Sequence, residues 1–124
     1  MAYGTLQTDV LYTSTGVFST NNAYLGIAKA WVFYNGSTQA ILGSFNVSSV
    51  TRNGTGDYTV NYTTAMPNAT YAVAVSGYRD TVGNSFAGQA AGQTYTTSAC
   101  RIYTYNASFA NTDAAGVSFT VFSS

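Results

Sequence analysis

From Ala28 onward the chain breaks into short runs rich in β-branched and aromatic residues, each closed by Gly, Pro, Asn or Asp at spacings of roughly 8 to 12 residues. That punctuation leaves no room for a helix of useful length and predicts strands joined by tight turns. The clearest run is DYTVNYTT (57–64), where Tyr58, Val60 and Tyr62 alternate with Thr59, Asn61 and Thr63 at the period of two that an extended backbone imposes. KAWVFY (29–34) sets Trp31 and Phe33 on one face and Ala30, Val32 and Tyr34 on the other. Asn35-Gly36 and Asn53-Gly54 read as tight turns with positive φ at the glycines. Between them AILGSFNVSSVT (40–51) reads as one strand bent at Gly43. Met66-Pro67-Asn68 is a turn, because proline fixes φ and cannot donate to a ladder. TYAVAVSGY (70–78) follows with Tyr71, Val73 and Val75 sharing a face. The segment 79–93 is glycine-rich and poor in β-branched residues, so it reads as the longest loop. TYTTSACRIYTY (94–105) and VSFTVF (117–122), joined across NASFANTDAAG, complete the set.

These runs predict an all-β fold, an antiparallel β-sandwich of six or seven strands over residues 27–124. Trp31, Phe33, Val60, Val73 and Phe119 are its expected core. Residues 1–26 mix isolated apolar residues with Ser, Thr and Asn without a helical period, and read as an extended arm for attachment or oligomerisation with room for one short strand. A chain of 124 residues closes one core of this kind and not two.

Only 6% of the residues are charged, against roughly 25% in an average domain, so Thr, Ser and Asn, 42 of the 124, must supply the polar surface. Lys29, Arg52, Arg79 and Arg101 balance Asp9, Asp57, Asp80 and Asp113, which leaves no long-range field to draw in a phosphate backbone or an anionic membrane. Nucleic acid and membrane are therefore not expected partners. No apolar window approaches the roughly 18 residues of a spanning helix, and MAYGTLQTDV lacks the basic and apolar regions of a signal peptide, so a soluble chain without an export signal is expected. The lone Cys100, beside Ile102, reads as a small buried hydrophobe.

The chain contains neither His nor Glu, which removes the Ser-His-Asp triad, the Cys-His pair and His-rich zinc sites. Glycoside hydrolysis needs two flanking carboxylates, and Asp57, Asp80 and Asp113 each have Gly and Asn nearby, as residues that cap or shape a turn do. No enzyme and no cofactor is expected. NGTGD and RDTVGN offer the oxygen donors calcium prefers, but too sparsely to distinguish them from plain turns. The positive signal is the combination of 11 Tyr with abundant Ser, Gly and Asn, a palette that gives rigid amphipathic contact area with adaptable hydrogen bonds. The glycine-rich loop is the natural place for such contact, with Tyr78, Arg79, Asn84, Phe86, Gln89 and Tyr95 as the candidate receptor-binding residues.

KAWVFYNGS, SFNVSSVTRNGTGDYTVNYTTAMPNATYAVAVSG and TTSACRIYTYNASFANTDAAGVSFTVF resemble a C-terminal β domain recurrent in bacteriophage tail-fibre and related virion proteins. The opening MAYGTLQTDV resembles the start of small fibre-type proteins of phages infecting aquatic bacteria. The likeness is strongest over 28–78, weaker over 94–122, and lost in 79–93. It implies a homotrimeric virion appendage, made in the bacterial cytoplasm. The arm would join it to other virion proteins, and the body would contact a host-surface glycan or protein. Two other readings fit the residues: a capsid-decorating or adaptor protein with a purely structural role, and a stand-alone carbohydrate-binding module.

Overall fold

The computed structural model describes the backbone of residues 4, 10–13, 16–19, 25–78 and 86–123, and the side chains of 4, 25–78 and 94–123. Ten strands occupy them: β1 (Val10–Thr13), β2 (Gly16–Ser19), β3 (Ala30–Tyr34), β4 (Ile41–Phe45), β5 (Val47–Gly54), β6 (Asp57–Tyr62), β7 (Ala72–Tyr78), β8 (Phe86–Tyr95), β9 (Ala99–Tyr105) and β10 (Gly116–Phe122). Among the described residues only Leu25 and Gly26 are helical. Within the segment expected as an arm, β1 and β2 pair as an antiparallel hairpin, with Val10 opposite Ser19 and Thr13 opposite Gly16.

The remaining eight strands form one antiparallel sheet in the order β4-β3-β10-β7-β8-β9-β6-β5. Pairing along it is uneven. β10 and β7 share seven register pairs, whereas β7 and β8 share two, Ser76 with Ala87 and Gly77 with Phe86. The sheet folds over at this thin seam, so the half β4-β3-β10-β7 faces the half β8-β9-β6-β5 across one core. Rings meet across the gap: Tyr34 of β3 lies edge-on to Tyr58 of β6 at 5.4 Å, and Tyr62 of β6 stacks on Phe119 of β10 at 6.5 Å.

On the side away from the seam the chain itself passes between the halves, at Asn46. This residue takes φ +54°, a left-handed conformation that asparagine tolerates better than most side chains. Its amide holds the corner. Nδ2 donates to the carbonyls of Lys29 (3.0 Å) and Thr64 (3.1 Å), while Oδ1 accepts from the Thr64 amide (2.7 Å). The segment 40–51 is thus two strands in different halves, broken at Asn46 and not bent at Gly43. A second departure lies in 79–93: residues 86–93 belong to β8, whose Ala, Gly and Gln residues carry little strand preference but pair with β9 from Ala87 to Ala90, Ala87 also pairing with Ser76 of β7. The 94–105 run is divided by a turn in which Thr96 N–H donates to Ala99 O (3.0 Å) and Ala99 N–H to Thr96 Oγ1 (2.9 Å). These divisions raise the expected six or seven strands to eight in the main sheet.

Val60 and Phe119 are buried as expected, and Val73 is half-buried. β3 is inverted relative to the expectation. Ala30, Val32 and Tyr34 face the core, while Trp31 is 41% exposed and Phe33 half-exposed. Every residue from Ala30 to Tyr34 is apolar or aromatic, so alternation defines two faces without choosing between them. The choice comes from β10, where Val121, Phe119 and Val117 lie opposite Ala30, Val32 and Tyr34 and are themselves buried.

The two Asn-Gly turns are also built differently from the expected form. Asn35 Oδ1 accepts from the amides of Ser37 (2.9 Å) and Thr38 (3.0 Å), and the left-handed residue of that turn is Gln39 (φ +59°). Gly36 is required for space, since a Cβ there would overlap Ala114 O and the Tyr58 hydroxyl. In the β5–β6 hairpin Gly54 is paired with Asp57, so the loop is Thr55-Gly56 and Gly56 carries the positive φ (+62°). Gly56 also lies flat against Thr104 and Thr112.

Candidate functional site

The two outer faces of the folded sheet differ in chemistry. No strand of the half β4-β3-β10-β7 contains a charged residue, and its exposed side chains are aromatic, aliphatic or small, Leu42 of β4 among them. Trp31 lies opposite Phe45, and the indole covers Gly43. Tyr78 lies opposite Gly116, where a Cβ would collide with its ring, and that vacant space lets Tyr78 reach Phe33 in a stacked contact at 6.1 Å. Phe122 extends the patch along β10. Phe45 is 55% exposed and Tyr78 53%. With Trp31 and Phe122 the four rings offer about 370 Å² to solvent, taking about 200 Å² per side chain, within the size range of functional apolar patches.

The outer face of β9-β6-β5 is polar and internally tied. Asn61 Nδ2 donates to Ser49 Oγ (3.0 Å) and Thr51 Oγ1 (3.2 Å), and Asn53 Nδ2 to Thr59 Oγ1 (2.9 Å) and Asp57 Oδ1 (3.2 Å). Arg101 grips Asp57 in a bidentate pair, with Nε 2.8 Å from Oδ1, and its guanidinium lies over the Tyr103 ring at 5.4 Å. The Arg101 hydrogen bonds hold the Asp57 carboxyl below its ordinary value against the opposing effect of partial burial.

Asp113 anchors one end of this half. It accepts from Tyr58 Oη (2.6 Å), Gly56 N–H (2.8 Å) and Arg52 (Nη2 2.7 Å, Nε 3.2 Å). Partial burial pushes its carboxyl up; the Arg52, Gly56 and Tyr58 hydrogen bonds outweigh that and set it below the usual range. Both described aspartates are thus ionised and occupied. That leaves neither poised as a general acid, and it commits the carboxylate of NGTGD to Arg101. RDTVGN lies outside the described residues. Among the described residues no group of three His, Cys or Asp side chains is placed to hold a metal ion.

Asp113 fixes one stem of the loop that follows β9. On the other stem Thr104 Oγ1 donates to Thr112 O (2.6 Å), Thr112 N–H to Thr104 O (3.0 Å), and Tyr105 bridges to Asn111. Between the stems Asn106 closes a tight turn: its Oδ1 accepts from Ser108 N–H (2.9 Å) and Ala110 N–H (3.1 Å), and its own N–H donates to Ala110 O (3.0 Å). At the apex Phe109 has φ +59° and is 82% exposed, its ring stacked on Tyr105 at 5.7 Å. Tyr103, Tyr105, Phe109 and Asn111 line an open cleft of about 350 Å³.

Of the sequence-derived candidate residues, the two whose side chains are described face different ways. Tyr78 stands on the outer aromatic face, whereas Tyr95 is partly buried against the core and packs edge-on against Tyr71 at 5.1 Å. Phe86 and Gln89 are placed by backbone alone, opposite Gly77 and Tyr103 respectively. Arg79 and Asn84 lie outside the described residues. The Phe109 cleft was missed because NASFANTDAAG reads as a connection. Its one signal is a large aromatic among residues whose other members favour turns. Cys100 is fully buried, and burial pushes its thiol up to about 11.

No protein-family model, no curated protein and no solved structure matches the chain.

Proposed function

We propose that this chain is a non-catalytic adhesion module of the tail-fibre type that its sequence resembles. In this reading a β-sandwich carries an N-terminal attachment arm, works as a homotrimer, and contacts the surface of a host cell. The observation that carries the reading is the division of the surface. One outer face is uncharged and aromatic, suited to being covered by another copy. The other is polar and held rigid by its own hydrogen bonds, with an aromatic cleft open to solvent at one end. Large flat rings facing water on a neutral protein favour association over solubility, and self-association of equivalent faces meets no charge repulsion. The absence of His and Glu, together with the occupied carboxylates of Asp57 and Asp113, supports a binding role over catalysis.

Sedimentation of the full chain, paired with binding of the labelled protein to a panel of bacterial cells and a glycan array, tests this. A trimer that binds cells or glycans is expected. A stable monomer that binds sugars would replace the reading with a free carbohydrate-binding module. A protein that binds no cell or glycan, but associates with another virion protein through residues 1–26, would replace it with a structural adaptor.

A further inference from the structure

We infer that the cleft between β9 and the 106–110 loop is a binding site for a neutral pyranose ring, with Phe109 and Tyr105 as the stacking surface and Asn111 as the polar contact. The inference rests on the adhesion reading and names the ligand class and the place. Its first support is the position of Phe109. A bulky side chain at φ +59° is strained where glycine or asparagine would be at ease. Nothing in the core requires this ring, which is 82% exposed. The loop instead presents it, with the turn at Asn106 and the stem at Thr104 and Thr112 fixing its direction.

The second support is the chemistry of the lining. Aromatic faces attract the C–H side of a sugar ring, and amide and phenol groups match its hydroxyls. Among the described residues no hydrogen bond engages the Asn111 side chain or the hydroxyls of Tyr103 and Tyr105, so these groups are available to a ligand. The cation beside the cleft, Arg101, is held bidentately by Asp57. Arg101 therefore offers an anionic sugar or a nucleotide phosphate no free positive charge, although the rings of either would stack equally well. A volume of about 350 Å³ falls at the small end of ligand sites, suited to one or two rings of an exposed chain and not to an enclosed ligand.

The test is a titration of isotope-labelled full-length protein, followed by NMR. The ligands are the methyl glycosides of glucose, galactose, mannose and N-acetylglucosamine, with methyl glucuronide as the charged comparison. We expect saturable shifts at Phe109, Tyr105 and Asn111 for at least one neutral glycoside, with a dissociation constant on the order of 1 mM. Phe109→Ala should weaken it at least about tenfold, Phe109→Trp should retain it, and both variants should sediment as the native protein does. No shift with any neutral glycoside, tighter binding of the glucuronide, unaltered affinity of Phe109→Ala, or a changed oligomeric state in that variant would each overturn the inference. If native protein and Phe109→Ala bind cells equally, adhesion stands and the cleft is not its site. If neither binds, the adhesion reading itself fails.

Discussion

Replacing Asp113 by Ala removes the acceptor on which four donor groups of three residues converge, and its cost can be worked from their surroundings. Tyr58 is fully buried, so its hydroxyl would lose a 2.6 Å bond to a charged acceptor with no water to replace it. An orphaned buried donor costs roughly 1–3 kcal/mol. Gly56, buried against Thr104 and Thr112, would lose its partner as well, adding about 1 kcal/mol. Arg52 is open to solvent, and its ion pair contributes little beside these two. The expected loss is about 3 kcal/mol, which at about 1.5 kcal/mol per molar of urea lowers the unfolding midpoint by about 2 M. Urea unfolding followed by tyrosine fluorescence and circular dichroism measures it, with Arg52→Ala as the control that removes the ion pair alone. Tyr58→Phe should cost about 1 kcal/mol in the native background and almost nothing with Asp113→Ala. An Asp113→Ala midpoint no lower than that of Arg52→Ala would refute the argument, because the solvent-exposed ion pair would then be all that Asp113 contributes.

Asp57 and Asp113 both have lowered pKa values, so the stability they add is present above the ordinary carboxylate value near 3.9 and is lost as pH falls through their lower folded values. Without His or Glu, the urea midpoint should stay level between about pH 5 and 8 and drop below about pH 4; a marked fall between pH 7 and 5 would contradict this. Cys100 should resist an aromatic disulfide reagent at pH 8 in the native protein and react at once in denaturant, and rapid native labelling would show that the core is open there. Phe109→Gly relieves the left-handed strain and should raise the melting temperature by about 4 °C, corresponding to about 1 kcal/mol, while abolishing glycoside binding. A lowered melting temperature would mean that the ring supports the loop.

The sequence showed the β class and the period of most strands, because alternation and turn chemistry are local. DYTVNY has the expected faces, with Tyr58, Val60 and Tyr62 buried and Asp57, Thr59 and Asn61 partly exposed. It could not orient AWVFY, where both faces are apolar and only the register with β10 decides. Nor could it divide 40–51, since the corner at Asn46 is held by Lys29 and Thr64, residues 17 and 18 positions away. The Asn-Gly pairs marked real turns, but Gly36 serves packing and Gly56 supplies the positive φ of the second turn, a distinction made by distant Ala114 and Thr104. Of the candidate site, Tyr78 was legible as an exposed ring. Phe109 was not, because its exposure depends on a turn closed by Asn106 and a stem pinned by Asp113.

The contrast between the two outer faces bears on how strongly such a protein can hold a surface. Three copies joined through Trp31, Phe45 and Tyr78 would bury the aromatic halves at their centre and leave the opposite halves, each with its Phe109 loop, pointing away from the axis. Every copy would then display one shallow cleft in fixed orientation. Once the first cleft is filled, the second meets its ligand at an effective concentration set by the rigid spacing, and avidity can exceed the single-site affinity by roughly 10² to 10⁴. A contact too weak to hold one copy would keep the assembly in place, yet any single site could release and rebind, letting the assembly step across a repetitive surface without leaving it.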